Sequence, residues 1–300
     1  MIPPAKTPGT LRFLTLNLWG ENGPWQGRIS LLLDSVGALE PDVIGLQEVR
    51  EAPGRVPNHA GEIARRLGWN HVFAPSSAWG GGHEGLAIVS RFPIGAHEAQ
   101  PLPHSVDTEG RIILSARIDA GAPYASPFWV HTTHLSYREA EGRKREDQVL
   151  FIDKVIAAHA NDNVQVVMGD FNAVPDSDEI RWMSGMTTLD GRRVAYQDAW
   201  ARANLVGGGG GTDLAGITSG VTWASANPYI IWMHWLRPDR RLDYIFTTPV
   251  RRDRRATVHG AWVVFDEPGE TAAGERVFVS DHFGVVADVQ MVAEPAHATP

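Results

Sequence analysis

The sequence predicts an α/β fold around one core, and three observations carry that expectation. Short apolar runs with strand character alternate with amphipathic helical stretches over nearly the whole chain. No shift in composition marks a linker, so 300 residues, long enough for two domains, read as one. Hydrophobic residues at 43% against 21% charged supply apolar surface for a large core and set aside disordered and fibrous classes. The expected domain spans residues 10–292, with flexible termini at 1–9 and 293–300.

Element by element, the apolar run 11–16 reads as a strand, and residues 28–39 as a helix that stops before Pro41. Further strands are expected at 43–46, 86–89, 112–118, 128–133, 164–168, 242–246, 261–265 and 283–289. Helices are expected at 62–67, 139–159 and 178–183, the last with Ser177 as its N-cap. Two stretches escape this alternation. The glycine run 207–211 reads as a loop. Residues 222–235 concentrate Trp223, Tyr229, Trp232 and Trp235 around Asn227-Pro228, as either a hydrophobic flap or the wall of a substrate pocket.

Composition removes several chemistries. Lys+Arg 27 against Asp+Glu 35 gives a net charge of -8, which repels a polyanion unless cations or a local basic patch intervene. Cys 0 excludes disulfides, thiolate metal sites and a cysteine nucleophile. The run 11–16 is too short for a signal-peptide core and no apolar stretch is long enough to cross a membrane, so a cytoplasmic location is expected.

The polar residues at the strand ends hold the chemistry. Asn17, Gln47, Glu48, His134, Asp170 and Asn172 follow apolar runs, while Asp243, Asp281 and His282 open or precede them. Singly each has an ordinary structural reading, as a turn cap, the partner of an arginine or a packed imidazole. Together, Glu48, Asp281 and Asn17 offer the hard oxygens that Mg²⁺ or Mn²⁺ prefers, with Ca²⁺ as a third candidate. With no thiolate and no closely spaced His pair, zinc is disfavoured.

In chain order come Thr15-Leu16-Asn17-Leu18, Gln47-Glu48, Glu84-Gly85 ahead of Ala87-Ile88-Val89-Ser90-Arg91, Thr133-His134-Leu135, Gly169-Asp170-Phe171-Asn172, Leu242-Asp243-Tyr244-Ile245 and Ser280-Asp281-His282. This series resembles the endonuclease/exonuclease/phosphatase superfamily over roughly residues 11–290, and within it the deoxyribonuclease-I-like and neutral-sphingomyelinase-like branches. The resemblance implies a single-domain, four-layer α/β/β/α sandwich with two facing mixed β-sheets and an active site at one end of them. It implies Glu48 as principal metal ligand with Asn17 and Asp281 beside it, Asp170 to activate water and Asn172 to contact the phosphate. His282 would transfer a proton with Asp243 behind it, and His134 would pair with Glu84 as a second imidazole–carboxylate couple. Arg111 matches a phosphate-contacting arginine, whereas His131, His83, Arg143, Arg145 and Gln148 are assigned no catalytic part.

The expected function is a divalent-metal-dependent phosphodiesterase that uses in-line attack of water without a covalent intermediate. A small organic or lipid-headgroup phosphodiester is favoured over nucleic acid, on the charge of -8 and the aromatic segment. A nuclease is the alternative. A noncatalytic binding module ranks last, because it would have lost a metal or histidine position and none is missing. No protein partner is indicated. Arginines cluster at Arg237, Arg240, Arg241, Arg251, Arg252, Arg254 and Arg255, but lysine occurs only at Lys6, Lys144 and Lys154, so the second half of the cluster reads as a solvated turn.

Overall fold

The computed structural model describes residues 2–105, 110–124, 126–160, 163–204, 220–230 and 238–294. Their elements run β1 (Thr10–Asn17), α1 (Trp25–Ser35), β2 (Val43–Glu51), α2 (His59–Leu67), β3 (Asn70–Trp79), β4 (Gly82–Ser90), β5 (Ile94–Pro101), β6 (Ile112–Ile118), β7 (Phe128–His134) and α3 (Gly142–Ala158). The second half continues β8 (Gln165–Asp170), α4 (Asp178–Met183), β9 (Gln197–Asp198), α5 (Ala199–Asn204), β10 (Asp243–Thr247), β11 (Val258–Val264), β12 (Gly269–Glu270), β13 (Arg276–Val277) and β14 (Gly284–Gln290).

Side chains alternate across a strand, and β1 is apolar on both faces, so it must be covered on both. Leu11 and Phe13 pack inward against Val130, Val166 and Ile245, while Leu14 and Leu16 pack outward against Leu32, Ile63 and Ala64 of α1 and α2. Two six-stranded sheets result, ordered β11-β14-β1-β2-β4-β3 and β5-β6-β7-β8-β10-β9. Each is mixed, with β1 and β2 parallel in one and β7 and β8 parallel in the other. On the outer face of the second sheet, Val149 and Ile152 of α3 and Trp182 of α4 pack against Phe171 and Tyr244. The layers are therefore helix, sheet, sheet, helix, in one domain.

Several expected elements change their limits. The first helix begins earlier, at Trp25, and gives way to a 3-10 turn at Val36–Leu39 before Glu40 turns left-handed at φ 48. The long helix is preceded by a separate 3-10 turn at Glu139–Glu141. Ser177 stands at the N-cap of α4, but its Oγ donates to the Val174 carbonyl at 2.7 Å and caps no helix N–H. The N-terminal segment is tied to the first sheet, Lys6 Nζ donating to Asp42 at 2.8 Å and the Pro4 carbonyl accepting from Arg12 at 2.7 Å. The glycine run 207–211 lies outside the described residues.

Candidate active site

Backbone register brings the site together. His134 at the end of β7 is the partner of Asp170 at the end of β8, and Asp170 is in turn the partner of Asp243 at the start of β10. Across the sandwich, Asn17 ends β1 opposite Gln47 of β2, and Asp281-His282 lead into β14, which pairs with β1. Strand ends from both sheets thus open onto one cleft of about 730 Å³, whose lining includes Glu48, Glu84, Arg111, His134, Asp170, Asn172, Asp281 and His282.

Backbone irregularities aim these side chains. The β2–β4 register shifts between Leu46 and Val49, and Glu48 within that bulge is left-handed at φ 52. Asn172 is left-handed too, at φ 49, in a turn where its N–H donates to Asp170 Oδ1 at 2.8 Å. Gly169 must be glycine, since a Cβ there would stand 2.0 Å from the Thr133 carbonyl oxygen.

Asp170 is the hub. Its Oδ2 accepts from Asn17 Nδ2 at 3.1 Å and lies 3.4 Å from His134 Nε2 and 3.7 Å from His282 Nε2. His282 Nδ1 in turn meets Asp243 Oδ2 at 2.8 Å, the expected dyad geometry. Burial opposes charge on His282, but the Asp243 and Asp170 carboxylates outweigh it and hold the ring well above its ordinary range, as an imidazolium. Burial raises Asp170 to about 6, with the Asp243 charge adding to the shift and His282 opposing it.

Two expected contacts are not formed. Glu84 Oε2 accepts from Arg50 Nε at 2.7 Å instead of pairing with His134, because the guanidinium two residues beyond Glu48 reaches it first. His134 Nδ1 instead lies 2.7 Å from Arg111 Nη1. Asn17 turns its amide nitrogen inward, toward Glu48 Oε1 and Asp170 Oδ2, both at 3.1 Å. Its Oδ1, the atom a cation would use, accepts from the Trp19 N–H at 2.9 Å.

The donor chemistry fits a hard cation. Glu48 is partly buried and Asp281 buried, and desolvation disfavours the ionised form of both carboxylates, Asp281 being raised to about 6 with the Glu48 charge contributing. The Glu84 charge pushes Glu48 up further. Such mutual repulsion among oxygen donors is what a bound divalent ion relieves. A second acidic group, Asp170, Asp243 and His282, places its donor atoms within 4.8 Å of one another. There the histidine already supplies the compensating positive charge, so Glu48 and Asp281 are the better cation donors.

The aromatic segment divides. Trp223 lines the cleft but is only 4% exposed, packed on Ile230 and Leu242 with the Arg240 guanidinium 4.8 Å over its ring. Tyr229 is not part of the lining and instead stacks on Trp19 at 4.8 Å between centroids. Trp232 and Trp235 lie outside the described residues. Arg240 of the arginine cluster lines the cleft, as do Trp19, Arg50 and Tyr137, which no sequence motif marks. Trp19 and Arg50 each follow a chosen residue by two positions, the one available sequence signal. Arg145 and Gln148 hold the loop after β7, through the Ser136 and Arg138 carbonyls and the Ser136 hydroxyl.

Among the described residues no helix is long and apolar enough to cross a membrane. The profile of the Endonuclease/Exonuclease/phosphatase family matches residues 14–282. Protein angel of Drosophila melanogaster is 28% identical over 185 residues, 58% of this chain and 51% of that protein, so the chain spans about half the length of this curated relative. The uncharacterized protein YbhP of Escherichia coli strain K12 is 28% identical over 177 residues, 54% of this chain and 67% of its own. Among solved structures, an endonuclease/exonuclease/phosphatase from Bacteroides vulgatus superposes with a TM-score of 0.66 at 18% identity, over 94% of this chain and 99% of that one. The human Nocturnin catalytic domain with bound sulfate anion gives 0.65 at 20%, over 94% and 93%. With its fold, its strand-end residues and the profile match in agreement, the chain belongs to the Endonuclease/Exonuclease/phosphatase family.

Proposed function

We propose that the protein is a divalent-metal-dependent phosphodiesterase, hydrolysing a small organic or lipid-headgroup phosphodiester by in-line attack of water. The observation that carries this reading is the position of Asp170 Oδ2, which lies within 3.4 Å of His134 Nε2 and 3.7 Å of His282 Nε2 at the floor of the cleft. One base flanked by two N–H donors is a constellation for deprotonating water beside a phosphate. A sulfate, tetrahedral and anionic like phosphate, is bound in the Nocturnin catalytic domain that shares this fold.

Glu48 and Asp281 would hold Mg²⁺ or Mn²⁺, which supplies charge neutralisation for the phosphate oxygens. Asp170, raised to about 6 by burial, is ionised at neutral pH and basic enough to take the proton of an attacking water on Oδ2. His282, charged and fixed through Nδ1 by Asp243, directs Nε2–H toward the phosphate. His134 adds a neutral Nε2–H from the sheet that faces the one His282 leads into, and the Asn17 amide bridges Asp170 and Glu48.

The small-substrate preference rests on the net charge of -8 and on the cleft's aromatic lining by Trp19, Tyr137 and Trp223. The deciding experiment is a panel of bis-p-nitrophenyl phosphate, a choline-headgroup phosphodiester, p-nitrophenyl phosphate, and single-stranded and duplex DNA, each with Mg²⁺, Mn²⁺, Ca²⁺ or chelator. Cleavage of the small diesters with Mg²⁺ or Mn²⁺, and none in chelator, is expected. Turnover of the monoester or of DNA in preference to both small diesters would overturn the reading.

A further inference from the structure

Arg28, like Arg12, is a fully buried arginine. It lies on α1, is 1% exposed, and so carries a guanidinium into a protein interior. Burying such a charge is costly unless its donors are satisfied, and here they are satisfied by main chain. Nη1 donates to the Leu18 carbonyl at 2.9 Å and the Val279 carbonyl at 2.8 Å, Nη2 to the Gly20 carbonyl at 2.8 Å, and Nε to the Asn22 carbonyl at 3.1 Å. The Trp19 and Trp25 rings flank it at 5.0 and 5.4 Å. Burial lowers its pKa to about 10, which leaves it fully charged at neutral pH.

The acceptors belong to two segments that are far apart in sequence and adjacent in the site. Leu18 to Asn22 directly follows Asn17, and Val279 stands two residues before Asp281. In the first segment Trp19 and Gly20 are consecutive left-handed residues, at φ 56 and φ 47, a turn that a tryptophan does not adopt unaided. That turn has two uses. It brings the Trp19 N–H onto Asn17 Oδ1, which aims the Asn17 amide at Glu48 and Asp170, and it sets the Trp19 ring in the cleft wall. Arg28 holds the turn from behind while gripping the Asp281 segment with the same nitrogen. A Ser280 hydroxyl on the Asn17 carbonyl at 2.6 Å makes a second tie between the two segments.

We propose that Arg28 is a positioning residue for phosphate-ester hydrolysis, fixing the Asn17 and Asp281 segments at one spacing so that the cation donors and the Trp19 wall form a single rigid edge. The proposal rests on the phosphodiesterase reading for its reaction and on the geometry alone for its cation site. Its planar fork is what the role requires, since a lysine ammonium has the charge but cannot reach four carbonyls on two segments.

The test is Arg28→Lys in the full-length protein, read three ways. Mn²⁺ binding by calorimetry should weaken at least fivefold. With bis-p-nitrophenyl phosphate and saturating Mn²⁺, kcat should fall at least tenfold while KM moves less than threefold. A melting temperature that falls while Mn²⁺ affinity and kcat stay within twofold of wild type would show a merely structural arginine and overturn the proposal. If wild type cleaves no ester in the panel, the phosphodiesterase reading fails, and the Mn²⁺ affinity of Arg28→Lys still decides the proposal. Should the variant not fold, amide exchange in the wild type takes its place: Trp19 to Asn22 and Val279 to His282 should open together with one free energy, and separate openings would overturn the coupling.

Discussion

Nη1 of Arg111 stands 2.7 Å from Nδ1 of His134, and this contact settles which proton His134 carries. A guanidinium only donates, so Nδ1 accepts and the ring proton resides on Nε2, facing Asp170. Burial, then the charges of Arg111 and His282, hold this imidazole well below its ordinary range. His134 is therefore a neutral hydrogen-bond donor and not an acid for the leaving group. His134→Ala should lower kcat by about 10² to 10³, as loss of one donor to a developing charge does. The loss should be equal for p-nitrophenyl and simple alkyl phosphodiesters, and His134→Gln, which keeps an N–H at similar reach, should recover part of it. A loss that grows with leaving-group pKa would instead make His134 the acid for the leaving group.

Glu48 is predicted from its surroundings to trade stability for cation binding. Its carboxylate is partly buried beside the Glu84 charge, and among the described residues only the Asn17 amide is hydrogen-bonded to it. Glu48→Gln should lower kcat/KM by roughly 100-fold or more, at least the loss seen when a mere supporting group of a metal site is removed. In chelator the same variant should melt at or above the wild-type temperature, because a partly buried repulsion has gone. Mn²⁺ should raise the wild-type melting temperature and leave that of the variant nearly unmoved. Scanning calorimetry with and without Mn²⁺ reads both, and equal Mn²⁺ stabilisation of the two proteins would remove Glu48 from the site.

What the sequence discloses about this fold follows burial. Strands such as β1, β8 and β14 are covered on both faces and announce themselves as apolar runs, and all were expected within a residue or two. β5 is an edge strand with largely exposed side chains such as His97 and Glu98, β3 an edge strand of mostly half-buried or exposed ones, and both are held by backbone pairing that no side-chain period records. The site shows the same division. Which residues converge was legible from strand ends in family order. Which atom meets which was not, because the bulge at Glu48 and the left-handed Trp19 turn side chains by backbone geometry. Arg50 and Glu84 are cross-strand partners just beyond that bulge, and Arg111 reaches His134 from the residue before β6.

His131 has no catalytic part in the family pattern, and its buried environment sets a pH dependence of stability apart from the site. It is fully buried, with Ser115 Oγ at 2.8 Å from Nδ1 and Gln165 Oε1 at 3.0 Å from Nε2, and burial pushes it down to about 4. The unfolded chain binds a proton near pH 6.5 that the native ring refuses, so this group's stability is present above pH 6.5 and is lost as pH falls. At pH 5 the loss amounts to about 2 kcal/mol. Asp170 and Asp281, held up to about 6, act with the opposite sign but equally in both proteins compared. His131→Gln should therefore shrink the difference in unfolding free energy between pH 7 and pH 5 by about 2 kcal/mol. Urea titrations at the two pH values measure it, and an unchanged difference would place the titration elsewhere.

Substrate size can be read from salt. Each phosphate contact along a nucleic acid releases counterions, so a protein gripping six of them loses about 10³ in affinity between 50 and 200 mM salt, whereas one contact costs at most about fourfold. Of the arginine cluster, Arg240 lines the cleft, whereas the second half, Arg251 to Arg255, does not sit where a strand entering the cleft would pass. Thr247 of β10 pairs with Val166, four positions along the sheet from the Asp243–Asp170 pair, so Arg251 to Arg255 lie beyond the far end of these strands, more than about 13 Å from the site. Several are also engaged: Arg251 Nη2 donates to the Asn163 carbonyl at 2.8 Å, and Arg255 Nε to Asp253 at 2.7 Å. In the cleft, Arg50 is paired with Glu84 and Arg145 with Glu179. The KM for bis-p-nitrophenyl phosphate should thus change by at most about fourfold over that salt range, and Arg251→Ala should change neither KM nor its salt slope. Preferred cleavage of duplex DNA with a thousandfold salt dependence, flattened by Arg251→Ala, would reverse the assignment, since only a strand wrapping to the far end of the sandwich could feel that residue.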